Sequence, residues 1–219
     1  MRRVLRDNGL SLVMFSLFLV FLVAQSVAGY KTSNSDNEEH HQPRETYGQY
    51  LASGAFVEAT FENWESEFLQ LGAYVLLTAL LIQKGSPESK NPDGNESDAD
   101  PRERAGDPDA PWPVRRGGLA LAVYEHSLSL ALLGLFLVSF ALHALGGHAE
   151  LNQQQLEHGQ AAVSLWSFVT GSQFWFQSMQ NWQSEFLAVG ALAVLGIFLR
   201  QRGSPESKPV AAPHSQTGG

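Results

Sequence analysis

Two glutamates in a repeated motif, Glu67 and Glu185, are the residues best placed to do chemistry. The motif reads Asn-Trp-x-Ser-Glu-Phe-Leu at positions 63–69 and again at 181–187. Two facing carboxylates can share a proton or bind a cation. We favour a structural interpretation, in which Asn caps a helix, Trp lies at a membrane surface and Glu complements the helix dipole. The candidate residues are Asn63, Trp64, Ser66, Glu67, Asn181, Trp182, Ser184 and Glu185.

A second repeated motif, Glu-His-x-Gln at 39–42 and 157–160, contains residue types that bind zinc. Adjacent residues on a helix point in different directions, and no two histidines lie four residues apart in the chain. We therefore interpret these residues as polar loop residues, keep metal binding as the weak alternative and expect no cofactor. The weak metal candidates are Glu39, His40, Glu157 and His158.

Gln25 and His143 form a third pair of matching polar positions, each near the end of an apolar segment. Polar side chains inside a membrane bundle usually bond across helices. We expect an interhelical hydrogen bond here and keep a proton-relay role as the alternative.

Four apolar segments must position all of these residues, although the mean hydropathy of −0.12 is that of an ordinary soluble protein. They cover about 10–28, 64–82, 121–145 and 182–200, each long enough to cross a hydrocarbon core of about 30 Å. In lipid each must be helical, because no water is available to unpaired backbone groups. Span one also resembles a cleavable signal peptide, but its match to internal span three favours a retained helix.

The basic residues predict the orientation of these spans. Of the 14 Lys and Arg residues, all but Lys31 and Arg44 lie before span one, between spans two and three or after span four. Cytoplasmic loops carry such an excess of positive charge. We therefore expect a multi-pass protein of the plasma (inner) membrane with both termini in the cytoplasm.

The chain matches itself without gaps at a shift of 118 residues, which predicts a tandem repeat. Each copy holds two spans, so the copies have the same orientation and are expected to relate by an axis along the membrane normal. We divide the chain into repeat 1 (1–90), an acidic disordered cytoplasmic linker (91–114), repeat 2 (115–208) and a disordered tail (209–219). Aromatic residues in both outer loops predict interfacial helices.

A hexapeptide, Gly-Ser-Pro-Glu-Ser-Lys, follows spans two and four at 85–90 and 203–208. Gly and Pro after the last helical turn are typical of a helix stop. The repeated Ser-Glu-Ser-Lys ending is explained either by duplication or by a docking or modification site.

Composition excludes several classes of function. The net charge of −8 argues against nucleic-acid binding, and the absence of cysteine excludes disulfides and thiolate chemistry. The motifs together resemble a family of uncharacterised bacterial integral membrane proteins classed as a domain of unknown function. That resemblance implies a duplicated four-span protein of bacterial inner membranes and assigns no catalytic residues.

We therefore predict an all-α polytopic membrane protein that is not an enzyme and serves a structural or envelope-associated role. Its partners are expected to be the lipid bilayer and, as an open alternative, a second copy of the chain. One functional alternative is a small transporter or ion or proton conductor using Glu67 and Glu185 near the repeat axis. A second is a membrane enzyme with a Glu/His site in the outer loops.

Overall fold

The regular structure is helical throughout the part of the chain that the computed structural model describes, residues 6–92 and 99–218. The all-α prediction is confirmed for these residues, while Arg2 and Arg3 and the linker residues 93–98 lie outside them. The elements are α1 Gly9–Glu39, α2 Tyr47–Leu51, α3 Gly54–Leu80, a 3-10 helix Pro101–Arg104, α4 Trp112–Arg116, α5 Gly118–Glu125, α6 Ser127–Glu157, α7 Leu165–Val169 and α8 Ser172–Phe198.

Three of the described helices, α1, α6 and α8, are long and apolar enough to cross a membrane. The sequence predicted four. α3 is not among them, and its first half carries four glutamates, at positions 58, 62, 65 and 67. The fourth span therefore stays a prediction.

The helix bounds recur at the spacing of the sequence repeat. α1 and α6 begin and end 118 residues apart, and so do α2 and α7, and α3 and α8. The short helices begin alike. The Thr46 side chain accepts a hydrogen bond from the Gln49 amide, and the Ser164 side chain accepts one from the Ser167 amide. Such caps satisfy amide groups that a short helix leaves open.

The long helices α1 and α6 extend well beyond the predicted ends of their spans, 28 and 145, and stop only at Glu39 and Glu157. Both stops use a left-handed residue, His41 with φ 57° and Gly159 with φ 69°. The following amide then donates back to a carbonyl of the last turn, at 2.7 Å in α1 and 2.8 Å in α6. The Glu-His-x-Gln motif is thus a helix C-cap of the Schellman type.

Two predicted helix starts are wrong. Asn63 and Asn181 were expected to cap helices, but α3 begins at Gly54 and α8 at Ser172, so both Asn residues lie inside their helices. In each copy the segment predicted to be interfacial and the predicted span form one continuous helix, so no cap is needed there. The predicted third span also differs, since α5 ends at Glu125 and α6 begins at Ser127.

Part of the segment predicted to be a disordered linker is folded. Asp100 caps the 3-10 helix by accepting a hydrogen bond from the Arg102 amide at 2.9 Å. Ala110, Val114 and Leu121 are buried together beside it. Disorder in the rest of the linker and in the tail stays a prediction.

The described residues fall in two compact units. One lies within Met1–Phe61 and Leu142–Gly171, and the other within Glu62–Ala141 and Ser172–Gly219. The first holds α1, α2, the start of α3, the second half of α6, and α7. The second holds the rest of α3, the 3-10 helix, α4, α5, the first half of α6, and α8.

Candidate functional site

Glu65 is the most deeply buried carboxylate among the described residues of the second unit. Its side chain lies on α3 and is 0% exposed. Its Oε1 atom accepts a hydrogen bond from Ser178 Oγ at 2.8 Å and another from Trp182 Nε1 at 3.1 Å. Both donors lie on α8. A carboxylate in an apolar environment is stable only when such donors compensate for lost water, so this contact ties α3 to α8.

A second glutamate of α3 strengthens the same contact. Asn181 Nδ2 donates to Glu62 Oε1 at 2.6 Å. Trp182 packs edge-on against Phe136 of α6 and against Trp175, with ring centroids 6.0 and 6.2 Å apart. The motif residues Asn181 and Trp182 therefore join α8 to its neighbours through polar and aromatic contacts together.

The two glutamates singled out from the sequence lie within electrostatic range of each other. Glu67 is exposed and Glu185 is half-buried, and their charges interact. Ser66 and Ser184 are not aimed at them, because each hydroxyl donates to the backbone carbonyl three residues earlier, at 2.8 Å. The hydroxyl groups of these serines therefore form their hydrogen bonds within their own helices.

Asn63 of the first copy is more exposed than its counterpart Asn181. Asn63 is exposed, and its carbonyl accepts the Ser66 hydroxyl. Trp64 is half-buried. The two copies of the motif therefore have unequal surroundings.

Sequence reasoning missed Glu65, because it is the variable position of the repeated motif. The equivalent residue of the second copy is Gln183, which is exposed and donates to the Gln180 carbonyl at 3.2 Å. The signal was present as the one acidic difference inside an otherwise identical heptapeptide. Such a difference marks a place where two copies have different neighbours.

The polar pair Gln25 and His143 lies in the first unit. His143 is fully buried and Gln25 is half-buried. The predicted hydrogen bond between their helices stays a prediction. Next to Gln25, the buried Ser26 hydroxyl bonds with the Tyr47 hydroxyl of α2 at 2.6 Å.

The polar ends of α1 and α6, with the loops and short helices that follow them, form what we call the head (residues 29–61 and 146–171). Two asparagines clamp its loops. Asn34 exchanges hydrogen bonds with the backbone of Glu45 at 2.9 and 3.3 Å, and Asn152 does the same with Val163 at 2.7 and 3.1 Å. An Asn side chain offers a donor and an acceptor in the geometry of a peptide group. These hydrogen bonds hold each loop against the helix that precedes it.

A cavity of about 470 Å³ lies in the head, between the ends of α1 and α6. His40 and His158, both weak metal candidates, line it, and their ring centroids are 6.0 Å apart. Glu157 lines it too. Among the residues that the structure describes, no three His, Asp or Glu side chains are placed to hold a metal ion.

The two hexapeptides form the same turn. The Ser89 hydroxyl accepts from the Gln83 amide at 2.9 Å, and the Ser86 hydroxyl accepts from the Glu88 amide at 3.2 Å. The second copy repeats these bonds at the same distances between Ser207 and Gln201 and between Ser204 and Glu206. The serines therefore close the turn that ends each long helix.

Lys208, the last residue of the second hexapeptide, is 1% exposed. Its ammonium donates to the Gly85 carbonyl at 2.6 Å and to carbonyls of the tail at His214 and Gln216, at 3.0 and 3.1 Å. Burial lowers the pKa of Lys208, and the neighbouring Arg200 lowers it further. Lys208 thus binds the tail to the first hexapeptide.

Glu88 of the first hexapeptide lies beside its counterpart Glu206. Burial raises the pKa of Glu88, and Glu206 raises it further, whereas the hydrogen bond from the Tyr74 hydroxyl at 3.0 Å opposes the rise. The two hexapeptides are thus neighbours in the second unit.

Comparisons with known proteins identify the family of the chain. No curated protein and no solved structure matches the chain. A family model, described as a domain of unknown function (DUF6766), matches residues 1–219. The chain therefore belongs to this family.

Proposed function

We propose that the chain is a non-enzymatic integral protein of the bacterial inner membrane, with a structural or envelope-associated role. In this proposal four helices cross the membrane as two parallel two-helix repeats, and both termini lie in the cytoplasm. The equal bounds of the helix pairs α1/α6, α2/α7 and α3/α8 support the repeat. The correspondence of α3 with the apolar α8 supports α3 as the fourth span.

The hydrogen bonding of Glu65 is the observation that carries the structural role. A carboxylate that moves protons or ions must meet water in at least one state. Glu65 is 0% exposed and accepts from two donors of α8, so its carboxylate acts as a tie between helices. This arrangement explains how an acid-bearing helix can lie in the bilayer.

Turnover and topology measurements test this proposal. Purified protein in mild detergent is expected to turn over neither envelope lipids nor peptides, and any such turnover would refute the non-enzymatic role. Periplasmic-reporter fusions are expected to be inactive after Gln83 and active after Gly147. The reverse pattern would overturn the orientation.

A second candidate function is proton or cation conduction through Glu67 and Glu185. The interaction between these two carboxylates, together with the exposure of Glu67, favours it. Reconstituted protein would then conduct, and replacing both residues by Gln would abolish the flux. A matched double variant, Glu38→Gln/Glu39→Gln, changes the charge equally at the exposed end of α1 and should conduct normally. Unchanged flux in the double variant would exclude this candidate.

A further inference from the structure

We propose that the α4–α5 segment (residues 112–125) docks on the surface of the bilayer and binds the phosphate groups of anionic phospholipids through Arg115 and Arg116. The segment comes directly before α6, one of the three described helices long and apolar enough to cross a membrane, and only His126 lies between them. This inference deepens the proposed membrane role and rests on it, because it takes α6 to cross the bilayer.

The place of the segment in the chain keeps it close to the bilayer surface. The apolar residues of α6 begin in its first turn, so the start of α6 is an end of the predicted span. α5 has no charged residue before its last one, Glu125. Its eight residues cover only about 12 Å. The two arginines that precede α5 therefore lie within a short reach of the point where α6 enters the lipid.

One side of the segment is packed within the protein and the other is exposed. Val114 and Leu121 are buried together with Ala110. Leu119 is two positions from Leu121, on the opposite side of α5, and is 80% exposed. Trp112 is 56% exposed. A tryptophan ring is stable at the head-group level of a bilayer, and an aliphatic side chain is stable just below it. The exposed side therefore fits a lipid surface.

The arginines of the segment differ from the other arginines of the same stretch of chain. Arg102 and Arg104 each form an ion pair with an aspartate, at 3.8 and 2.7 Å. Arg115 and Arg116 are exposed, and neither has an acidic partner among the residues that the structure describes. The guanidinium of Arg116 lies over the Trp112 ring, 5.0 Å from its centroid. Two positive charges without a carboxylate partner thus lie beside an exposed indole.

This combination of side chains suits the phosphate of a lipid head group. The planar guanidinium can donate two parallel hydrogen bonds to phosphate oxygens. Its aliphatic stem can lie along apolar surface while the charge stays in the polar layer. An anionic membrane surface favours each nearby arginine by about fivefold in the binding equilibrium. Charge and apolar exposure therefore favour the same partner.

Spin labelling in lipid nanodiscs tests the docking, because the chain has no cysteine and accepts a single label. A nitroxide at Leu119→Cys is relaxed by oxygen, which concentrates in lipid, and by a neutral nickel chelate, which stays in water. We expect this label to be shielded from nickel in an equimolar mixture of phosphatidylcholine and phosphatidylglycerol, and accessible to nickel in phosphatidylcholine alone. A label at Leu137→Cys, exposed in the apolar part of α6, should be shielded in both lipids.

Charge variants locate the contact. Two arginines favour docking by about thirtyfold, so Arg115→Gln/Arg116→Gln should make the label at 119 accessible to nickel in the anionic mixture. Arg102→Gln/Arg104→Gln is the matched control, because it removes the same charge from exposed residues of the same unit. Equal accessibility in the two double variants, or in the two lipids, would overturn the proposal. If the first double variant does not fold, Arg116→Gln alone carries the same expectation.

The two labels separate a failure of this inference from a failure of the proposed function. A label at Leu137 that nickel reaches in both lipids would refute α6 as a span, and with it the proposed membrane role. A shielded label at Leu137, together with a label at Leu119 that nickel reaches in both lipids, would refute the docking alone.

Discussion

Replacing Glu65 by Leu removes the acceptor that holds Ser178 and Trp182 of α8. The substitution keeps a large side chain in place but leaves both donors without this acceptor in a buried site. We expect α3 and α8 to separate more easily as a result. The substitution Glu65→Gln keeps the acceptor oxygen and removes only the charge, so it should be far milder.

The size of the effect follows from the two bonds. Interhelical hydrogen bonds in membrane proteins contribute about 0.6 kcal/mol on average and up to about 1.7 kcal/mol. A buried group left unsatisfied costs about 1–3 kcal/mol. Because Glu65 is 0% exposed, loss of its two hydrogen bonds is predicted to lower the free energy of unfolding by about 1–3 kcal/mol.

Unfolding by SDS in mixed micelles, followed by tryptophan fluorescence and circular dichroism, measures this loss. Ser178→Ala should lose about half as much, and a double-mutant cycle of Glu65→Leu with Ser178→Ala should show coupling. Glu67→Leu is the matched control, since Glu67 is exposed two positions further along α3. The reasoning is wrong if Glu65→Leu unfolds at the same SDS fraction as the unaltered protein, or if the cycle shows no coupling.

Three further predictions concern other contacts. Lys208→Met should free the tail and raise the mobility of a spin label placed there, whereas the exposed control Lys84→Met should not; unchanged mobility in both would contradict the contact. Because burial raises the pKa of Glu88 above its usual 4.5, the folded state binds a proton more tightly, so stability should fall as pH rises from that value through the raised pKa. Unfolding of Glu88→Gln should lack this fall, and an identical pH profile would refute it. Asn152→Ala should speed amide hydrogen exchange at Val163 about tenfold or more, because one bond at 2.7 Å is lost; unaltered exchange would show that the clamp does not protect this amide.

The helical class could be predicted from the sequence, because apolar segments of this length have one stable backbone arrangement in lipid. The ends of the helices could not be predicted from the sequence in the same way. The apolar pattern stops near 28 and 145, but a helix outside lipid needs no apolar residues and continues until a cap stops it. The caps at His41 and Gly159 set those ends, and one of them uses a residue other than glycine.

The candidate site was predicted only in part. Searching for identity between the copies found Glu67 and Glu185, whose charges do interact. Comparison of the two copies overlooked Glu65. A contact between helices depends on which side chains face each other, and the sequence pattern of one helix does not specify its partner on another. The asparagine clamps at Asn34 and Asn152 were overlooked although their spacing is also 118 residues.

The Glu65 contact also bears on the different parts that the two halves of the chain have in the second unit. The first half supplies the acceptor, and the second supplies the donors Ser178 and Trp182. The second half has Gln183 where the first has Glu65, and the first has Thr60 where the second has Ser178. A symmetric pair of first halves would bring two carboxylates to the contact, and a symmetric pair of second halves would bring none. Two second halves could therefore not form this contact, because they bring no carboxylate to it.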